Sequence, residues 1–426
     1  MNNFIVMSEH DVKTSTIIEF IQKHMIKCEE LDKKYEYFLG KTQILERTMK
    51  DPTKPNVKLV SGFPSYICNI STSYFLGKPI VYKGENATLA ILNKVHEKND
   101  EHHINRELAL KSSIYGNSYE LLYMGIDGDI KQKVVSPRET FLIVDNSLEE
   151  NIIMGIRYFT IDEYNNYQVE IYDNSTISTY ILDNALNLKF IRSVEHYFGQ
   201  VPIVEYKNNE EEMGDFDRVI TLIDEYEKLQ SDTANDFEYF SDAYLTLTNA
   251  QGTDPEDILR MKEQRVMLLP EGGEAAWLTK NIQDTAMENY KNRIVEDIHK
   301  FSMVPPMTDE NFSGNASGVA MRYKLLGLEQ LTGIKERWFK KSIMKRVNLI
   351  SNFLRVVHNV TLDIESINLQ FTRNIPINEK EVAELVVMLK DIISQQTQLS
   401  LLTFIDNAEK EMNLMTCSHA TEDTQS

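Results

Sequence analysis

Two long helical patterns of opposite charge constrain this chain more than any other feature. From Asp215 to about Leu247 the positions Val219, Ile223, Tyr226, Leu229, Thr233, Phe237, Phe240 and Tyr244 step by three and four, the spacing that lines one side of a helix. About 33 residues of helix would run roughly 50 Å, longer than a compact domain readily encloses. Residues 205–241 hold twelve acidic and three basic side chains. From Ser317 to Val360 the sign reverses, with nine basic and two acidic residues and a local charge of +7. Here too the apolar positions Val319, Tyr323, Leu326, Ile334, Trp338, Met344, Val347, Ile350, Leu354 and Val357 fall on a helical stripe. Gly327 and Gly333 lie inside it. Each costs about 1 kcal/mol against alanine in a helix, so a bend is expected near them. Charge sorted by element in this way points to a large assembly that handles a polyanion rather than to an ordinary enzyme.

Between the two helices the pattern predicts a small α/β unit on a helical hairpin. Gly252 and Pro255 break the acidic helix. Residues 257–264 read as helix, with strands at 266–269 and 275–278 around a turn at 270–273. A return helix carries Met287, Tyr290, Ile294, Ile298 and Phe301 and stops at Pro305-Pro306. The loop 305–318 is rich in Pro, Gly, Asn and Ser. Upstream, residues 11–38, 66–75 and 86–114 read as helices. Residues 119–124 and 130–135 read as a hairpin turned at Asp127-Gly128, and 153–161, 168–172 and 176–182 as an antiparallel meander. Leu362–Phe371 is strand-like. Two helices, from Glu379 to about Ile393 and from about Leu399 to Leu414, precede a polar tail. The class is α+β.

The chain's 426 residues suit two or three domains, and a net charge of −20 disfavours tight wrapping around nucleic acid. No apolar run approaches the roughly 20 residues of a membrane span. Met1 to Asp11 lacks a basic and an apolar region, so no signal peptide is expected. Cys28, Cys68 and Cys417 match no metal or redox spacing and read as reduced thiols. Gly40-Lys41-Thr42 lacks the earlier glycine of a phosphate loop, because Tyr35 stands there. Gly314-Asn315-Ala316-Ser317-Gly318 has its serine misplaced for a nucleophile elbow. His96, His102 and His103 read as a solvated helix face. Arg337, Lys341 and Lys345 stand four apart and fit either a subunit contact or a phosphate contact. No catalytic residue, cofactor or metal site is expected.

Several dispersed stretches carry a resemblance: Tyr37-Phe38-Leu39-Gly40, Tyr74-Phe75-Leu76-Gly77-Lys78-Pro79-Ile80, Tyr115-Gly116-Asn117-Ser118-Tyr119-Glu120 and Gly199-Gln200-Val201-Pro202-Ile203-Val204-Glu205. Further on come Ile223-Asp224-Glu225-Tyr226, Ser231-Asp232, Asn235, and Ser317-Gly318-Val319-Ala320 with Arg322. In this order and spacing, over about residues 35–410, the chain resembles the portal proteins of tailed bacteriophages, of the type found in long-tailed phages of Gram-positive hosts.

The resemblance implies a portal fold. It comprises a wing (1–205), a first stem helix (206–250), a clip (251–283), a second stem helix (284–304), a tunnel loop (305–317), a long kinked helix with the wing's return (318–376), a crown (377–416) and a disordered tail (417–426). It implies a ring, usually of twelve copies, at one capsid vertex of the virion, assembled in the host cytoplasm and not in a membrane. Double-stranded DNA would pass through its channel. Its partners would be the terminase large subunit, a head-completion connector protein, and the major capsid and scaffold proteins. Asp309, Glu310, Asn311, Phe312, Ser313 and Gly314 would line the channel. Gly327 and Gly333 would be a helix hinge, and Leu259, Met267, Leu269 and Trp277 the clip's partner-binding surface. Two other classes remain as alternatives: a nucleic-acid enzyme subunit, which should carry a phosphate or metal motif, and a scaffold protein unrelated to phage, which needs no pore.

Overall fold

The structure, a computed structural model, describes residues 3–6, 12–240, 244–248, 274–278, 284–307, 318–374 and 379–402, apart from positions 53, 165 and 391, and a few single residues elsewhere. Two compact units result, one of Met1–Pro306 with Leu325–Thr372, the other of Met307–Lys324 with Arg373–Ser426.

The first unit is built on a six-stranded sheet. Strand β1 (Phe4–Val6) pairs in parallel with β5 (Thr140–Asp145). An antiparallel meander then runs through β6 (Ile152–Thr160), β7 (Tyr167–Tyr172), β8 (Thr176–Leu182) and β9 (Leu188–Glu195). Each turn of the meander opens on an aspartate. Asp145 accepts from the backbone N–H of Ser147 and Asn151, Asp162 from Tyr164 and Asn166, Asp173 from Ser175 and Thr176, and Asp183 from Ala185 and Asn187. A side chain that satisfies its own turn's donors in this way fixes where the strand reverses. These bonds stabilise the ionised carboxylate and hold all four aspartates below the usual range. One sheet face buries Phe141, Ile143, Ile156 and Val169 under helix α1 (Thr14–Phe38) through Ile17, Phe20 and Ile21.

A second core surrounds helix α4 (Glu101–Tyr115) and a three-stranded sheet. The sheet is ordered β10-β3-β4, with β3 at Asn117–Met124, β4 at Ile130–Val135 and β10 at Ile203–Lys207. Helices α2 (Phe63–Leu76) and α3 (Asn86–Asn99) flank it, and the short strand β2 (Val81–Lys83) pairs with β13 (Asn368–Gln370). The long helix α8 (Leu326–His358) contributes Phe339, Ile343, Val347, Ile350, Phe353 and Leu354 to this core. Only Val347, Ile350 and Leu354 of the stripe read from the sequence lie in it; Tyr323, Leu326, Ile334 and Val357 are exposed, and the buried side is turned towards Phe339, Ile343 and Phe353.

The acidic helix is shorter than its periodicity predicts. A 3₁₀ turn at Asp217–Val219 leads into α5 (Ile220–Phe240). Residues Tyr244–Thr248 then form a strand, β11, paired with β12 (Glu274–Leu278). The aromatic and β-branched run Tyr244-Leu-Thr-Leu-Thr248 suits a pleated ladder, and pairing outweighs the three-four apolar spacing there. Helix α6 (Asp284–Ser302) returns against α5, burying Ile294 and Ile298. Residues 86–114 divide into α3 and α4 at Asp100, which is left-handed (φ 50°). The strand expected over 362–371 reduces to β13. In the second unit, α7 spans Gly318–Lys324, α9 Glu379–Met388 and α10 Gln395–Leu401. The helical stretch is thus interrupted at Leu325, while Gly327 and Gly333 are helical residues of α8.

Candidate functional site

The cations of α8 divide into two populations. Lys335 and Arg346 lie in the helix's buried stripe with Thr332, Phe339, Ser342 and Ile343. The Lys335 ammonium pairs with Asp215 and donates to Ser71 Oγ (2.8 Å) and Ser113 Oγ (2.7 Å). Arg346 is wholly buried. Its guanidinium donates to Glu101 Oε1 (2.8 Å), Asn105 Oδ1 (2.9 Å), Glu120 Oε1 (3.3 Å) and the Tyr82 hydroxyl (3.2 Å). Tyr206 closes the network by donating to Glu120 Oε2 at 2.6 Å. Burial alone would raise Glu101's pKa, but Arg346 beside it holds the carboxyl below the usual range. These two pairs bolt α8 to α4, to β3 and to the residues just before α5. A charged residue in phase with an apolar stripe was the signal for them.

Four acidic side chains on α5 and the turn before it are engaged within the molecule, Glu227 being buried and the others half-buried. Asp217 accepts from Lys34 (2.7 Å), Asp224 from the Tyr37 hydroxyl (2.7 Å), Glu227 from Thr42, and Asp232 from Arg47 (2.7 Å). Along the same helix, Glu227, Ser231 and Asn235 accept the backbone N–H groups of Ser61 (2.7 Å), Leu59 (2.9 Å) and Val57 (2.7 Å). Four helical residues rise about 6 Å and two extended residues about 6.6 Å. A helix therefore ties an extended segment in register through side chains at every fourth position. Ser231→Ala or Asn235→Ala should each cost about 1 kcal/mol, and Glu227→Ala, which removes a charged acceptor, about 2–3 kcal/mol. Each should speed amide exchange at its own strap residue; unchanged exchange at Val57, Leu59 and Ser61 would contradict the tie.

The second population of α8 cations faces outward. Arg337 and Lys341 are exposed and Lys345 is half-buried. Lys341 and Lys207 lie 5.5 and 5.7 Å from the Trp338 ring. Lys345 enters a cavity of about 680 Å³ with Gln200, Glu205, Lys207 and Trp338, and burial pulls its pKa down to about 8. Glu205 is held by Asn117 Nδ2 (2.9 Å), the Tyr119 hydroxyl (3.2 Å) and Asn3 Nδ2 (3.1 Å). The stretches 115–120 and 199–205, far apart in sequence, thus meet as paired strands.

Other sequence-derived positions separate. Residues 308–317, with Asp309, Glu310, Asn311, Phe312, Ser313 and Gly314, lie outside the described residues, as do Met267, Leu269 and Cys417. Leu259 is exposed, and Trp277 stands on β12 opposite Leu245. His96 is buried against the Tyr82 ring, 4.7 Å between centroids, rather than on a solvated face. Among the described residues no group of His, Cys, Asp and Glu is placed to hold a metal ion, and no helix is long and apolar enough to cross a membrane.

Burial lowers His96 and His24 to about 4 each. The unfolded chain therefore binds more protons between about pH 6.5 and 4. Stability from the two histidines is complete above that window and falls as pH drops through it, by about 1.4 kcal/mol per pH unit for each. Glu101, held low, adds a loss of the same sign at more acidic pH. Urea midpoints should fall steeply from pH 6.5 to 4.5, and His24→Gln with His96→Gln should flatten the slope. A slope that survives both substitutions would contradict this assignment.

The chain is mixed helix and strand, with an acidic helix α5 and a basic helix α8. The family "Phage portal protein, SPP1 Gp6-like" matches residues 18–424, and the chain belongs to that family. The portal protein of Bacillus phage SPP1 is 22% identical over 449 residues, covering 97% of this chain and 88% of the relative. The portal protein of Clostridium phage phiCD119 (strain Clostridium difficile/United States/Govind/2006) is 24% identical over 415 residues, covering 89% and 90%. Among solved structures, a chain from the virion of the native gene transfer agent (GTA) particle aligns at 11% identity and TM-score 0.49, over 80% of this chain and 89% of that one.

Proposed function

We propose that this portal protein forms a closed ring, twelve copies in the family pattern, whose channel passes double-stranded DNA into and out of a capsid. The family match over residues 18–424 carries the reading. In this reading α5 and α6 are the stem, residues 251–283 the clip, and 305–317 the tunnel loop. Residues 1–205 with 318–376 form the wing, and 377–416 the crown. The strap of residues 42–61, tied along α5, supports it by fixing the stem helix to the wing. With Asp217, Asp224, Glu227 and Asp232 engaged by the strap and α1, the repulsion that keeps DNA sliding falls to the exposed acids, Glu238 on α5 and Glu288 and Glu296 on α6. Screening over about 8–10 Å keeps that repulsion local.

The clip would dock the terminase large subunit and the head-completion protein through Leu259, Met267, Leu269 and Trp277. The wing would face the major capsid and scaffold proteins. The chain would act without a cofactor and turn nothing over. Arg337, Lys341 and Lys345 would meet a neighbouring copy or the DNA. Deleting residues 251–283 should leave the core folded and abolish terminase binding; undiminished binding would refute the clip assignment.

Gly327 and Gly333 would let α8 flex as the loop moves. A Cβ on Gly327 would meet Met303 only at ordinary contact distance (3.5 Å), and one on Gly333 would meet nothing. The double alanine variant should therefore be more stable, by up to about 1 kcal/mol per site, yet package DNA poorly. Normal packaging by this stiffened protein would remove the hinge.

A further inference from the structure

Lys335 and Lys345 lie on the same helix and differ in what holds them. Lys335 is engaged by Asp215, Ser71 and Ser113. Lys345 makes no hydrogen bond or ion pair among the described contacts, and its side chain lines the cavity of about 680 Å³. The elements around that cavity bring five other charged groups: Lys341 from α8, Glu205 and Lys207 from β10, and Glu149 and Glu150 from the loop after β5. Two of these are engaged elsewhere. Glu205 accepts from Asn3, Asn117 and Tyr119, and Lys207 pairs with Glu212 at 3.0 Å. Glu149 and Glu150 are exposed, where water screens them. Lys345 is thus half-buried, without a bonded counter-ion, and one helical turn from the ammonium of Lys341. Loss of hydration and a like charge both favour the neutral amine. Burial has the larger effect on its pKa of about 8; Glu205 opposes it and Lys341 reinforces it.

We propose that Lys345 is a site of acylation, taking a small acyl group from an uncharged activated ester or thioester. The charges of the lining select the donor: Glu149, Glu150 and Glu205 balance Lys207, Lys341 and Lys345, so an anionic donor gains no hold. Gln200 and Asn348, both exposed, also line the cavity and leave it open to solvent. The Lys345 Nζ lone pair attacks the acyl carbon. The bond from that carbon to the leaving oxygen or sulfur breaks, the leaving group keeps the bonding pair, and Nζ gives one proton to water. The product is an uncharged amide, which removes one cation from α8. At about pH 7.5 an amine titrating near 8 is about one-quarter neutral, against about one in a thousand for an ordinary lysine, a gain of roughly 200-fold. Lower basicity costs roughly tenfold in nucleophilicity, on the slope of about 0.4–0.5 found for thiols. The net advantage is roughly tenfold.

The site lies within one chain, so this inference goes beyond the portal reading and stands apart from it. The test treats the full-length protein with limiting p-nitrophenyl acetate and reads acetylation at each lysine by peptide mass spectrometry. Near neutral pH, Lys345 should react at least about tenfold faster than the exposed Lys94 and Lys133. Its rate should level off above about pH 9, whereas acylation of an ordinary lysine climbs through about pH 10. Lys345→Arg should remove the fast-reacting site and leave the other sites as they were. Acetylation at Lys345 no faster than at Lys94, another lysine such as Lys27 reacting first, or a rate at Lys345 that does not level off would overturn the proposal. Preferential labelling by the anionic donor acetyl phosphate over the neutral ester would overturn the choice of donor.

Discussion

Arg346→Ala is expected to destabilise the protein by about 3–5 kcal/mol, because it leaves two buried carboxylates without their cation. Glu120 is completely buried and Glu101 nearly so, and neither gains a new cation when Arg346 is cut back. The loss is mainly the cost of isolating charge rather than the worth of the ion pair. Arg346→Met combined with Glu101→Gln and Glu120→Gln should therefore recover a large part of it, since uncharged groups in the same space carry no such penalty. Denaturant midpoints at constant protein concentration measure both. A loss below about 1 kcal/mol for the alanine variant would mean that water reaches these carboxylates. It would also remove the account of how α8 is fixed to α4 and β3.

Gly116→Ala is expected to be about as damaging, for a steric reason. Gly116 ends α4 with φ at +97° and leads directly into β3. A Cβ there would lie 1.8 Å from the Glu212 carbonyl oxygen and 2.4 Å from its carbon. Both are backbone atoms in the loop that leads to α5, and Asn208 holds that loop by donating to Met213 O and Asp215 Oδ1, each at 2.8 Å. The loop has no rotamer with which to yield, so the clash adds to about 1–3 kcal/mol of backbone strain. The variant should lose at least about 3 kcal/mol, and Asp215, displaced, should release Lys335. Soluble protein with an unchanged melting temperature would show that the loop shifts freely.

Much of this architecture is legible in the sequence because it rests on local chemistry. The strand runs of the meander, the helix over residues 11–38 and the break at Pro305-Pro306 each act within a few residues. What pattern reading loses is long-range. Charge serves as a surface marker, so Lys335 and Arg346 look the same as Arg337 and Lys341, although their phase on α8 places them inward. Asp224, Glu227 and Asp232 look like a solvated acidic face until the strap of residues 42–61 is laid against them. Strand β11 continues the apolar rhythm of α5, and only its pairing with β12 separates the two.

The family resemblance worked across those gaps because several of its scattered residues touch. Glu205 meets Asn117 and Tyr119, and Asp224, Ser231, Asp232 and Asn235 hold Tyr37, Leu59, Arg47 and Val57.

Electron microscopy of the purified full-length protein tests the central claim most directly. The account predicts closed rings of identical copies around an open axial hole, with α5 and α6 running along its wall. Monomers, two-fold dimers or open filaments at every salt and protein concentration, or rings whose axis is closed by packed helices, would contradict it.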